Sequence, residues 1–290
     1  MRIIDVHCYP NTQQWIACQQ PYVDALAKYW KRSWVPKTEE EVVKDFTDAG
    51  VEAILVALDL ETTVATPPCS NDYVASMQKR YPERIIQAWG AVDPFKGEAA
   101  IREAKHAIED LGMLGFHFHP IMGHFAVNDR RLYPLVEVIN ALKVPVMIDV
   151  GTTGMGAGMP GGMGAKIRHA HPSAIDELAA DFPHLTIIAA HIGWPWVEEM
   201  TAVALHKGNV FWEVSGYAPQ YFPPSLVTDI RSRLKEKILF GSDYPSIPYA
   251  RLLREWDEFG YADDIKERVF YRNAERVLGL GRTGTPACPV

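Results

Sequence analysis

The sequence predicts an α/β fold, a (β/α)8 TIM barrel, and three observations predict it. Short apolar runs alternate with amphipathic stretches from end to end, the runs are largely apolar on both faces, and a polar group follows nearly every run. Runs buried on both faces belong to parallel sheets, because a sheet with one wet side alternates instead. An open doubly wound sheet would gather the polar groups at one switch point, whereas a barrel spreads them around one rim. Here they are His7, Asp59, Asp93, His119, Asp149, His191, Ser215 and Asp243. That spread selects the barrel.

In chain order, strands are expected at 2–6, 53–58, 85–92, 115–119, 144–150, 186–190, 210–215 and 238–242. Helices are expected between them at 38–49, 71–81, 97–111, 130–142, 172–181, 196–206, 224–234 and 248–258, with a last one at 263–278. In the third helix Ile101, Ala104, Ala107, Ile108 and Leu111 share one face, while Arg102, Glu103 and Lys105 fall on the others. Thr38 and Asn71 stand just before helical runs, where a side-chain oxygen can cap free amides. The 290 residues suit eight βα units. Residues 1–280 read as one barrel and 281–290 as a tail.

Two stretches exceed ordinary βα loops. Residues 8–37 hold Tyr9, Trp15, Tyr22, Tyr29, Trp30 and Trp34, which fits either a helix closing the barrel base or a wall of the site. Residues 151–171 carry GTTGMGAGMPGGMG, read as a substrate loop; it lacks the GKS/T ending of a phosphate-binding loop.

The net charge of −7 and the absence of any Lys/Arg-rich run exclude nucleic-acid and membrane-surface partners, leaving a small molecule as the expected partner. No apolar run approaches the ~20 residues that span a bilayer, and the N-terminus has no signal pattern. Cys8, Cys18, Cys69 and Cys288 stand far apart without a CxxC pair, so a reducing, cytoplasmic setting is expected.

The chemistry-bearing residues end the runs. IIDVHCYP places His7, GFHFHP places His117 and His119 on one face, VPVMIDVGTTG places Asp149, LTIIAAHIGWPW places His191 and ILFGSDYP places Asp243. Buried charges need partners, so His and Asp at one end of a barrel imply a shared site. Imidazole with carboxylate suits a borderline divalent ion such as zinc.

Taken in order, IDVHCYP, GFHFHP, NDRRLYPLVEVINALKVPVMIDVG, AAHIGWPW, FGSDYP and YRNAERVLGL resemble the amidohydrolase-related (amidohydrolase 2) family from Ile3 to about Leu280. That branch holds aminocarboxymuconate-semialdehyde decarboxylase, resorcylate-type decarboxylases and pyrone-dicarboxylate lactonase, and its barrels often pair, which implies a homodimer. The resemblance implies a metal held by a His-x-His pair on strand one, a His on strand five and an Asp on strand eight. A strand-six His beside it acts as acid and base. His7, His191 and Asp243 match these positions. Tyr9 replaces the second His of the pair and Asp149 replaces the strand-five His, while Cys8 points away from the barrel mouth.

Tyrosine is a poor zinc ligand at neutral pH, with an ordinary pKa of about 10. The expected metal set is therefore His7, Asp149 and Asp243 around one divalent ion, with zinc first. The metal-free alternative leaves Asp149, His191 and Asp243 for acid–base work. Asp243 and His191 are the expected catalytic pair: Asp243 takes a proton from water and His191 protonates the carbonyl or leaving group. Tyr9, His119 and Trp194 are the candidate substrate contacts, with Tyr9 a donor to a developing oxyanion. Trp194 and Trp196 otherwise pack the rim, His117 supports the site from behind, and Glu213 in FWEVSGY reads as a salt-bridge partner. Arg130 and Arg131 read as surface residues of the fourth helix.

Three functions follow. The first is hydrolysis of a lactone, an amide or a β-dicarbonyl. The second is non-oxidative decarboxylation of an aromatic or muconate-like acid. The third is a non-catalytic binding barrel, favoured by Tyr9 and Asp149 but opposed by the retained His191 and Asp243.

Overall fold

Eight parallel strands follow the eight apolar runs in the computed structural model, which describes residues 1–31 and 33–280. They are β1 (Ile4–Cys8), β2 (Glu52–Val56), β3 (Ile85–Trp89), β4 (Phe116–Phe118), β5 (Val146–Asp149), β6 (Ile187–Ala190), β7 (Val210–Glu213) and β8 (Ile238–Leu239). β1-β2-β3 form one sheet and β4 to β8, in order, a second. Backbone bonds join the sheets at both seams. Gly90 N donates to Gly115 O at 2.8 Å and His117 N to Gly90 O at 2.8 Å, linking β3 to β4. Val6 N donates to Phe240 O at 3.1 Å and Tyr9 N to Tyr244 O at 3.0 Å, linking β8 to β1. Joined at both seams, the strands make the (β/α)8 barrel.

Two strands differ from their sequence limits in ways that matter. β1 begins and ends two residues later than expected, so His7 lies within it. β8 is two residues long, because Phe240 N turns to Val269 O and Phe240 O accepts from β1 instead of continuing the ladder to β7.

The helices are α1 (Gln13–Ala17), α2 (Gln20–Trp30), α3 (Glu39–Ala49), α4 (Glu61–Val64), α5 (Asn71–Arg80), α6 (Glu98–Lys105), α7 (Tyr133–Ala141), α8 (Pro172–Asp181), α9 (Val197–His206), α10 (Pro224–Ile230), α11 (Tyr249–Glu258), α12 (Asp263–Glu267) and α13 (Asn273–Leu278). Thr38 caps α3 in a full capping box with Glu41. The cap of α5 is Ser70 rather than Asn71, Ser70 Oγ accepting from Tyr73 N at 3.2 Å. Asn71 is buried instead, exchanging bonds with Ala91 N and Ala91 O and so tying α5 to the end of β3. A π-helical turn at His106–Asp110 ends the α6 stretch, and another at Arg268–Arg272 joins α12 to α13. α10 stops four residues short of its expected end.

Trp89, Phe116, Trp212 and Phe240 are fully buried in the core. No helix among the described residues is long and apolar enough to cross a membrane. The tail expected at 281–290, with Cys288, lies outside the described residues; Cys8, Cys18 and Cys69 are free and buried.

Candidate active site

Alternation along β1, β4 and β5 turns His7, His117 and Asp149 toward the barrel mouth, where they meet His119 and His191. Asp149 is the hub. Its Oδ1 lies 3.0 Å from His117 Nε2, and its Oδ2 lies 3.2 Å from His119 Nε2 and 3.5 Å from His191 Nε2. Burial alone would raise the Asp149 carboxyl, but His119, His117 and His191 outweigh it and hold it well below the usual range.

The imidazoles are not equivalent. His119 Nδ1 accepts from Met122 N at 3.2 Å, which leaves its proton on Nε2, facing Asp149. Burial lowers His119 to about 4, so it is a neutral donor. Burial would also lower His191, yet Asp149, with Asp243 and Glu213 behind it, raises it to about 10. His191 is therefore an imidazolium paired with Asp149. Burial and the neighbouring His117 lower His7 to about 3.

Glu213, fully buried at the end of β7, organises the opposite side. Its Oε2 lies 3.2 Å from His7 Nδ1 and accepts from Ser215 Oγ at 2.9 Å. Ser215 Oγ in turn lies 2.9 Å from His191 Nδ1. One carboxylate thus receives His7 Nδ1 directly and His191 Nδ1 through Ser215, and leaves both Nε2 atoms facing the site. The chain makes room for it: a Cβ on Gly241 would stand 2.1 Å from Glu213 Oε1, and one on Gly216 2.6 Å from His191 Nδ1. Glu213 was legible in the sequence only as a carboxylate two residues before Ser215 on an apolar strand, which marks a shared face without marking a role.

His191 and Asp243 both adopt the left-handed backbone region, with φ of 70° and 53°. Each such residue costs about 1–3 kcal/mol, a strain found where a side chain must be aimed. Burial raises the Asp243 carboxyl, with His191 and His7 opposing, and Ser246 Oγ donates to its Oδ2 at 2.9 Å.

For a metal, the donor atoms of His7, Asp149 and His191 lie within 4.8 Å of one another. Among the described residues this cluster does not include Asp243, which departs from the set His7, Asp149 and Asp243 that the sequence suggests. Asp243 stands beside the cluster, close enough to act on the charge of His7 and His191. His7 Nε2 is buried and has no hydrogen-bond partner among the described residues, and the buried Asp149 Oδ2 has only the ion-pair contacts to His119 and His191. Two buried lone-pair donors, one nitrogen and one oxygen, suit a divalent ion.

A cavity of about 500 Å3 opens above these groups. The stretch after β1 supplies Tyr9, Trp15, Trp30 and Trp34 to its lining, so this segment walls the mouth and does not close the base. The glycine-rich loop after β5 adds Thr152, Thr153 and Met155. His119, Asp149, His191 and Asp243 line it too. Burial, with Asp149 and Asp243, raises the Tyr9 hydroxyl well above its ordinary value, so Tyr9 keeps its proton and serves as a donor. Trp194 is half exposed and outside the cavity lining, unlike its expected role. Its carbonyl instead accepts from Thr152 N at 2.7 Å, tying the loops after β5 and β6. Asp59 and Asp93 are also outside the lining; Asp59 pairs with Lys96 and Asp93 caps Thr62 and Phe95. Arg130 is exposed and pairs with Asp181 across the surface.

The chain is similar over 96% of its length to an uncharacterized TIM-barrel protein from Bordetella bronchiseptica, at 24% identity, 99% of that chain and a TM-score of 0.76. A dihydroxybenzoic acid decarboxylase from Polaromonas, with bound manganese and 2-nitroresorcinol, is 16% identical over 97% of this chain and 98% of its own, with a TM-score of 0.69. A probable 2-pyrone-4,6-dicarboxylic acid hydrolase from Acinetobacter baumannii, with citric acid bound, is 14% identical over 96% of this chain and 100% of its own, with a TM-score of 0.65. No curated protein matches the sequence. These likenesses establish the barrel. The amidohydrolase family pattern (Amidohydro_2) matches residues 4–280, nearly the whole chain. The chain is an enzyme that belongs to the amidohydrolase family.

Proposed function

We propose that the enzyme hydrolyses a small carbonyl substrate, a lactone, an amide or a β-dicarbonyl, using His191 as proton donor and Asp243 as proton acceptor. The observation that carries this reading is that a raised imidazolium, His191, and a raised carboxyl, Asp243, line the same cavity. Such opposed environments divide acid from base. Asp243 takes a proton from a water whose oxygen bonds to the carbonyl carbon. The bond to the leaving group then breaks, and His191 hands its Nε2 proton to the departing atom. Tyr9 donates to oxygen as negative charge develops there, while His119 keeps its Nε2 proton toward Asp149.

His7 Nε2 and Asp149 Oδ2 would hold one divalent ion, zinc or manganese, with His191 Nε2 a third donor only once it has lost its proton. When bound, that ion would supply a Lewis acid for the substrate oxygen. Glu213 holds His7 in the tautomer this needs.

A second reading is non-oxidative decarboxylation of an aromatic or muconate-like acid, which the imidazolium and the aromatic walls favour. His191 would protonate the carbon as the C–C bond breaks and the carboxylate leaves as carbon dioxide. The Polaromonas relative has that activity.

Two panels test the readings on the purified protein and on His191→Asn and Asp243→Asn. Acid release from lactones, amides or β-keto compounds, lost in both variants, supports hydrolysis. Carbon dioxide from aromatic acids, lost in His191→Asn alone, supports decarboxylation. Silence in both panels with tight ligand binding overturns both in favour of a binding barrel.

A further inference from the structure

We infer that a second cavity, lined by α3, α11 and the stretches after β1 and β8, is a binding site for a neutral, flat molecule that carries an O–H or N–H donor for Asn11 Oδ1. This cavity measures about 640 Å3, within the range of about 300–1,000 Å3 usual for small-molecule pockets. Trp34 and Ile247 line both this cavity and the active-site cavity, so these two side chains form the partition between them.

The lining sets the chemistry of the occupant. Val35, Pro245 and Leu253 give apolar walls, and the Tyr244 and Tyr249 rings stack at 5.8 Å and 14° beside them. Flat apolar surfaces of this kind take an aromatic body. The charges in the lining cancel in pairs. Lys37 pairs with Asp45, which also accepts from the Tyr244 hydroxyl at 2.6 Å, and Asp48 pairs with Lys44 along α3. Among the described residues no charged side chain of the lining lacks a counter-charge, so neither an anion nor a cation is selected.

Asn11 is the unspent group. It lines the cavity at 4% exposure, and its Oδ1 has no hydrogen-bond partner among the described residues. A buried oxygen left without a donor costs about 1–3 kcal/mol, which a ligand O–H or N–H recovers. The backbone holds the residue in place, with φ in the left-handed region at 47° and Asn11 O accepting from Lys37 N at 2.9 Å. The same cavity is bonded to the active site from below. The Tyr249 hydroxyl donates to Asp5 Oδ2 at 2.7 Å, and Asp5 Oδ1 accepts from His7 N at 3.1 Å.

Calorimetric titration of the full chain with 2-naphthol, its methyl ether 2-methoxynaphthalene and the anion 2-naphthoate tests this, for the wild type, Asn11→Gly and Ala250→Trp. Glycine keeps the left-handed backbone at position 11 and removes the amide. Ala250 is an exposed residue of the lining, where tryptophan fills the cavity. The expected result is one-to-one binding of 2-naphthol to the wild type, tighter than either analogue. Asn11→Gly weakens 2-naphthol about threefold to tenfold and leaves the ether unchanged. Ala250→Trp, folded by circular dichroism, abolishes binding of both. The inference is overturned by no binding to the wild type, by equal affinity for 2-naphthoate, or by an ether as sensitive to Asn11→Gly as the naphthol. Binding that survives Ala250→Trp belongs to the active-site cavity and overturns it as well.

Discussion

The His7 imidazole and the Glu213 carboxylate meet at 3.2 Å, Nδ1 to Oε2, and neither side chain reaches solvent. Removing that carboxylate frees both His7 and Ser215, and through Ser215 also His191. Glu213→Ala is expected to weaken divalent-metal binding about 10–100-fold, read by competition with a chelating dye. An affinity equal to wild type would show that His7 needs no such partner.

Gly241→Ala reaches the same group from the other side. The added methyl would stand 2.1 Å from Glu213 Oε1, so the carboxylate must move. Activity should fall toward that of Glu213→Ala. Stability should drop about 1–3 kcal/mol from overpacking, read from urea midpoints. Gly241→Ala with full activity would mean that Glu213 can shift without consequence.

Asp149 serves three imidazoles, and its charge is what holds the proton on His191. Asp149→Asn keeps the shape and removes the charge. The expected loss in kcat is about 10²–10⁴-fold, with a folded circular-dichroism spectrum. Retention of activity would remove Asp149 from the mechanism.

Added zinc or manganese should raise Tm in the wild type and leave His7→Ala unmoved, since a ligand that binds the folded state stabilises it by about 4 kcal/mol at a thousandfold excess over Kd. Equal Tm with and without metal, after chelator treatment, would disprove the site.

Lys237 gives a pH dependence away from this centre. Burial, with Arg276 adding, lowers its ammonium from 10.5 to about 8, although the carbonyls of Lys207, Gly208 and Val210 accept from it. Between those values the unfolded chain binds a proton that the folded chain lacks, so this residue makes stability rise with pH across the window. Urea midpoints from pH 8 to 10 should climb more steeply in wild type than in Lys237→Met. Equal slopes would mean that the carbonyls keep the ammonium charged.

The sequence carried the barrel because strands buried on both faces mark a parallel sheet, and polar groups spread around its strand ends select the closed form. His191 and Asp243 were visible as polar stops at the ends of apolar runs. Glu213 was not, since an acid inside an apolar strand has the same letter pattern whether it faces a helix or a histidine. The cluster of His7, Asp149 and His191 was not legible, because the left-handed backbone of His191 and Asp243 has no mark in a non-glycine residue. Asn71 looked like a cap by position alone, while its buried amide had a backbone to satisfy elsewhere.

The seam between β8 and β1 runs through the site, with His7 on one bank and Asp243 on the other. Asp5 spans it, accepting from His7 N, Ser242 N and the Tyr249 hydroxyl. The separation of His7 from Asp243 is therefore set by a joint of few bonds rather than by a continuous ladder. Through Tyr249 the first turn of α11 is bonded to that joint, so the spacing of His7 and Asp243 is tied to a helix as well as to two strands.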